Sequence, residues 1–588
     1  MTAFINHPGG RFVPGAVALA VTTAVMVAGP ARAQLGGGYP TLPATVTDTR
    51  VGDLRGQLQS YLPGVLPRTG GPAILIQPSI GVDVGATDNA LRVERPRRGD
   101  VFTTISPTVS VSGETSRVTV NLNYSPLATV YASTPNQTRL DQYGNAAALI
   151  KIVPDAIFLD VRGTVTQQSR TGGFGQTNSQ TLNRDDQVQS ASVSVTPYAE
   201  HRFSGWGTGR VGYSFARTVQ DGRNDQNGFT QNNFNNQTFN QFGSQNQFFG
   251  ATGNLTTQRE RASFVTGENL GRISDIVVVE AVQYSGGGTY RGAHRNQASN
   301  DVGYAITRKV TALAGFGYQD LRFSGTPGIR INEPTYSLGA RFTPDADSSL
   351  TVTYGHKDGF NGFNADGAVS PTSRTRVFVR YSTGLTTDAE EQQNLLASTN
   401  VGPGGLLVDS TTGAPVSSSS SSFGTQNGLF RLRRFSVTGS LLLNRDAVSV
   451  SLSNEERTNV NNIPSVNGQT TVPAGTSSTG TSGTLAWQHE LTPVLTSSAS
   501  VSYSVDNNAS LAGVGTGNQS QRTIQTSLAL SYVFTQTLTG SARYLFTDRS
   551  GGVGQTNQTN TNANAFAFGR AGQNLTENVL LVGLRKSF

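Results

Sequence analysis

Arginine is the residue type whose number and spacing could do chemistry in this chain. There are 40 arginines against only four lysines, Lys151, Lys309, Lys357 and Lys586. Many recur in a two-residue rhythm with apolar or small neighbours. Arg162 alternates with Val161 and Gly163, and Arg210 precedes Val211. Arg341 lies between Ala340 and Phe342, and Arg543 precedes Tyr544. Arg376 and Arg380 flank Val377, Phe378 and Val379, and Arg431 and Arg433 open a later segment. A guanidinium stays charged and offers a planar fork that holds a carboxylate or sulfate through two hydrogen bonds. A ladder of such groups on one face would favour anionic solutes or an anionic polymer. Carboxylates share that parity, among them Asp160, Glu455 and Asp506. Most of these arginines are therefore expected to brace a wall by pairing, with a minority setting selectivity.

Other chemistries find little support. No metal-ligand spacing and no phosphate-binding glycine loop appears. Cysteine is absent, which excludes disulfides and thiolate metal sites. Removal of an N-terminal leader leaves His201, His294, His356 and His489. No Ser–His or Asp–His arrangement can be asserted for them from parity, so no enzyme, metal or cofactor is expected. The formal net charge of +7 falls to +5 without the leader, too small to argue for nucleic acid.

The elements that must position the arginines have a period of two. In Leu495–Val505 a serine or threonine recurs at every second position. Val118, Val120, Leu122 and Tyr124 alternate with polar residues, as do Val448, Val450 and Leu452. So do Ile524, Leu528, Leu530, Tyr532 and Phe534. Such alternation means strands with one apolar and one polar face. The connections alternate in length. Val153–Asp155, Ser204–Trp206, Asn444–Asp446 and Thr492–Val494 are short, whereas 170–186, 222–246, 458–480, 508–521 and 549–574 are long and polar. Short turns on one rim and long loops on the other describe a large transmembrane antiparallel outer-membrane β-barrel of about 20–22 strands. Trp206 and Trp487 both fall near short turns, where an aromatic girdle is expected at one membrane interface. On this reading the serines face a wet lumen and the alternate residues face lipid. Only 14% of residues are charged, which suits a barrel better than a soluble enzyme, where about 25% is usual.

The chain opens with Arg11, the apolar run Ala16–Gly29 and Ala31-Arg32-Ala33. Residues 1–33 read as a cleaved signal peptide that directs export toward the outer membrane. Residues 34–72 form a periplasmic segment in which Asp48–Leu62 could be a short helix, and the barrel spans 73–588. The stretch 386–430 is irregular. Thr386–Leu396 reads as a short helix, followed by glycines and the serine run Ser417–Ser422. Up-and-down counting requires this stretch to pass from the short-turn rim to the long-loop rim. It could hold an irregular strand, thread the lumen as a constriction, or be a disordered periplasmic loop with one strand miscounted elsewhere. The loop Asn224–Gly250 is rich in Asn, Gln and Phe, and is a solvated low-complexity loop, a glycan-stacking surface or a lid over the pore.

At the C-terminus Leu580, Val582, Leu584 and Phe588 share one face. The stretch resembles the C-terminal strand signal that the barrel assembly machinery recognises. Lys586 departs from that pattern, at small cost if it snorkels into the head groups. The whole layout is similar to a family of β-barrel porins tied to exopolysaccharide loci, including PEP-CTERM-system-associated outer-membrane proteins. The resemblance rests on Pro78–Asn89 with Gly99-Asp100, on Asn121–Pro126 with Tyr131, and on Asp409–Pro415. It implies a part in making, exporting or anchoring extracellular polysaccharide, and supplies no catalytic residues. Expected partners are outer-membrane lipid, the assembly machinery and a polysaccharide. The other readings are a general or anion-preferring diffusion porin, and a surface adhesin or scaffold with a plugged lumen.

Overall fold

A computed structural model describes residues 74–169, 187–222, 254–401, 407–409, 415–416, 423, 428–464, 471–508, 519–551 and 574–588. The expected signal peptide, the Asp48–Leu62 helix and the Asn224–Gly250 loop lie outside the described residues. Twenty-two strands form one closed antiparallel sheet. It runs from Ile74–Thr87 to Leu575–Ser587, each strand pairing with the next in sequence. The first and last strands close the ring through a register running from Ser79 opposite Ser587 to Thr87 opposite Val579. Closure matters because an open edge would leave backbone groups unpaired in lipid.

The two faces separate as the alternation predicts. Outward residues include Val211, Tyr213, Phe316, Leu338, Leu452, Leu528, Leu580 and Val582, all exposed. The inward residues beside them are polar and buried, among them Thr104, Ser106, Thr108, Ser449, Ser451, Ser453, Ser498 and Ser504. Neighbouring inward hydroxyls bond across strands, as in Ser453–Ser482 at 2.8 Å and Thr484–Ser502 at 3.0 Å. Trp206 and Trp487 lie on the short-turn side and are exposed. The Trp487 indole donates to Asp446 at 2.9 Å. Phe588 is exposed, and its backbone N–H donates to Pro78 at 3.0 Å. Lys586 stands on the outward face and its Nζ reaches Thr537 Oγ1 at 2.7 Å.

The stretch 386–430 departs from expectation in one respect. The strands that bracket it, Thr375–Thr386 and Phe430–Leu442, pair directly over their full length. Both ends of the stretch therefore lie on the long-loop rim, and it makes no passage between rims. The count that requires a passage is therefore out by one strand elsewhere, and the ends of the stretch lie on the long-loop rim rather than the periplasmic one. With 22 strands every second connection falls on the long-loop rim, this one included.

Candidate functional site: a polar helix held inside the barrel

From the long-loop rim the chain enters a helix, Asp388–Ser398, two residues C-terminal to the expected span. Thr387 caps it, its side chain accepting from the Glu390 N–H at 3.2 Å. Asp388, Glu390 and Glu391 occupy the first turn, where the helix dipole favours negative charge. The helix is polar nearly all round. Such a helix ordinarily stays in water, yet Glu390, Glu391, Gln392, Gln393, Leu395, Leu396 and Ser398 are buried. The inward faces of the strands answer it group for group.

At its N-terminal end three arginines meet the three acids of the first turn. Arg434 Nη1 reaches Glu391 at 2.6 Å, and its Nη2 reaches Glu455 at 2.9 Å. Arg457 bridges Glu455 at 2.6 Å and Asp388 at 2.8 Å. Arg295 lies 3.6 Å from Glu390, pairs with Asp358 at 3.2 Å and donates to the Leu385 carbonyl at 2.8 Å. The Tyr284 hydroxyl donates to Glu390 at 2.7 Å, and Tyr290 bonds Thr387. Burial pushes the Glu391 carboxyl well above the usual carboxylate range, against the opposing pull of Arg457.

Along the helix, Ser190 donates to Gln392, Thr257 to Gln393, and Arg259 to Asn394 at 3.2 Å. At the C-terminal end Arg162 donates to the carbonyls of Leu396 at 3.3 Å, Ala397 at 3.1 Å and Thr399. These are the groups a helix leaves without internal partners. The contacts come from strands 157–169, 187–202, 255–266, 273–286 and 294–305 on one side and from 430–442 and 446–459 on the other. The helix thus bridges two separate sectors of the wall. An apolar cluster under its first turn, including Leu255, Tyr284, Phe323, Leu385, Ala389 and Leu429, completes the seat.

The candidate arginines divide. Arg162 pairs with Asp160 at 2.8 Å, Arg210 with Glu200 at 2.6 Å and Arg380 with Asp366 at 3.0 Å. Arg341 donates to Thr351 at 3.2 Å, and Arg376 to Ser370 at 2.9 Å. Arg543 is buried on the inward face. All six face inward. Arg431 and Arg433 do not, and the expectation is corrected. Phe430, Leu432 and Arg434 take the buried inward parity of that strand, leaving Arg431 and Arg433 outward. Arg433 pairs there with Glu456 at 3.3 Å. Outward charge is tolerated because these residues lie at the long-loop rim, before the first exposed apolar residue of the strand, Phe435. Sequence reading passed over Arg295, Arg434 and Arg457. The usable signal was Glu455, already on inward parity, which Arg457 shares two residues on.

His356 sits 3.3 Å from Glu333, and Asp358 turns away to Arg295. His294 lies 3.3 Å from Asp320 and His489 2.8 Å from Asp446.

Fold and lumen define a closed β-barrel of the outer-membrane type with an inward-folded, ion-paired helix. No protein-family model and no curated relative matches the sequence. Similar solved structures include the siderophore receptor PirA of Acinetobacter baumannii, at 9% identity and a TM-score of 0.43, covering 87% of this chain and 80% of that one. The ferric-catecholate import receptor Fiu of E. coli is 11% identical with a TM-score of 0.44, covering 89% and 82%. OccK5 (OpdH) of Pseudomonas aeruginosa is 12% identical with a TM-score of 0.28, covering 87% and 98%.

Proposed function

We propose that this chain is an outer-membrane transport barrel for a hydrated polar polymer of the polysaccharide class, held closed at rest by the helix Asp388–Ser398. The observation that carries the reading is that helix, ion-paired to both sectors of a wall otherwise lined by serine and threonine. Small hydroxyls exchange hydrogen bonds with a sugar chain as readily as with water, so a glycan can slide without sticking. The arginines do not favour the anion-porin reading, because Arg162, Arg210 and Arg380 each already hold a carboxylate.

Planar-bilayer recording of the refolded protein tests this. The expected result is little current from the native chain and a large, steady conductance once the helix is released by substitution. Soluble oligosaccharide added to one side should then block that current. A large native current would fit a diffusion porin instead. A folded barrel that stays silent after release would fit the scaffold reading, and either outcome removes the proposal.

A further inference from the structure

The outward face carries a charge pattern the lumen does not explain. Three adjacent strands, His294–Ala305, Val310–Phe323 and Ile329–Asp345, rise to the long-loop rim together. In their register His294 stands opposite Arg322, and Arg322 stands opposite Arg330. All three point outward, since Arg295, Leu321, Phe323, Ile329 and Ile331 hold the inward parity beside them. Both guanidiniums are exposed. Among the described residues neither has a carboxylate partner, and the nearby Asp320 is taken by His294 at 3.3 Å. Like charges directly opposite on one sheet face repel. Arg162, Arg210, Arg380 and Arg433 each hold a carboxylate, which the Arg322–Arg330 pair does not.

Directly below the pair, on the same face, the register places Asp320 opposite Asn332, Tyr318 opposite Pro334, and Phe316 opposite Tyr336. Phe316, Tyr318, Tyr336 and Leu338 are exposed and begin the lipid-facing surface. From Arg322 to Tyr318 is four residues, about 13 Å along a strand, or about 10 Å along the membrane normal at the usual strand tilt. The arginine pair therefore stands at head-group height above an aromatic and aliphatic wall.

We propose that Arg322 and Arg330 form a binding site for the phosphate of a phosphorylated outer-leaflet glycolipid, whose acyl chains lie against Phe316, Tyr318, Tyr336 and Leu338. Two opposed guanidinium forks match one phosphate through paired hydrogen bonds and relieve their mutual repulsion. The occupant is a lipid because an exposed aromatic and aliphatic surface begins on the same face just past Asp320 and Asn332. The site rests on the outer-membrane reading of the barrel.

The test uses the full chain reconstituted into phosphatidylcholine vesicles with or without bisphosphorylated lipid A, followed by native mass spectrometry of the extracted barrel. The native protein should retain lipid A. The double variant R322S/R330S should lose roughly tenfold or more of that retention, as should the native protein offered dephosphorylated lipid A. Millimolar inorganic phosphate should compete poorly. Equal retention by native and double-variant barrels would overturn the site. Full displacement by inorganic phosphate would overturn the lipid assignment and leave a plain anion site. Heat-dependent gel migration of both proteins confirms folding. Failure of the native chain to insert into any vesicle would remove the outer-membrane reading and the site with it, whereas insertion without lipid preference removes the site alone.

Discussion

Replacing Arg434 with methionine removes the cation that joins the helix to the wall. Arg434 holds Glu391 of the helix at 2.6 Å and Glu455 of the wall at 2.9 Å, and all three side chains are buried. Methionine keeps most of the volume and none of the charge. Glu455 retains Arg457 at 2.6 Å. Glu391 loses its hydrogen-bonded partner and remains a buried acid. Leaving a buried polar group without its hydrogen-bond partner costs about 1–3 kcal/mol. Release of the helix into water relieves that cost by hydrating Glu391, so the docked-to-released ratio should fall by roughly 5- to 150-fold. The chain has no cysteine, so a single Ser398→Cys reporter gives labelling without background. Ser398 is buried in the docked helix. Its reaction with a water-soluble maleimide should be slow in the native background and faster by the same factor in Arg434→Met. Heat-dependent gel migration should show both barrels intact, since the substitution leaves every strand pairing in place. An unchanged labelling rate in a folded Arg434→Met barrel would refute the claim that this pair holds the helix.

Smaller effects are expected elsewhere. Arg162→Ala strips the C-terminal carbonyls of the helix of their donor, and should raise Ser398→Cys labelling several-fold, in line with about 1 kcal/mol for a cation at a helix C-terminus. Thr387→Ala removes the N-cap acceptor and should weaken docking by ~1 kcal/mol on the same assay. Arg380→Ser leaves Asp366 without the guanidinium it pairs with at 3.0 Å. In a helix-released background its reversal potential should shift toward cations. Gly339→Val should lower the temperature at which the barrel unfolds on a gel, because even a Cβ at Gly339 would lie 2.2 Å from the Val352 carbonyl oxygen. Overpacking of this kind costs about 1–3 kcal/mol.

Local pattern settled the barrel. A side chain's face follows from parity, and parity survives whatever the neighbouring strand is, so Ser498 and Ser504 inward and Val501 and Tyr503 outward were legible without coordinates. The alternation of short and long connections gave the rims for the same reason. Parity failed at Arg431-Leu-Arg-Arg-Phe435, where charges occupy both faces and the choice is made by distant partners. Phe430 and Leu432 turn inward, so Arg434 rather than Arg433 meets Glu391 and Glu455. The helix itself was readable from the sequence, with a lumen constriction among the readings left open, but the groups it docks on were not. A polar helix on a loop has no local reason to enter a barrel. It does so because Arg295, Arg434 and Arg457 come from three different strands and converge on one helical turn, Asp388–Glu391. The sequence by itself determined strands, faces and rims, which are properties of neighbouring residues. Only the tertiary structure decided which charges meet, because a buried ion pair depends on register across the closed ring.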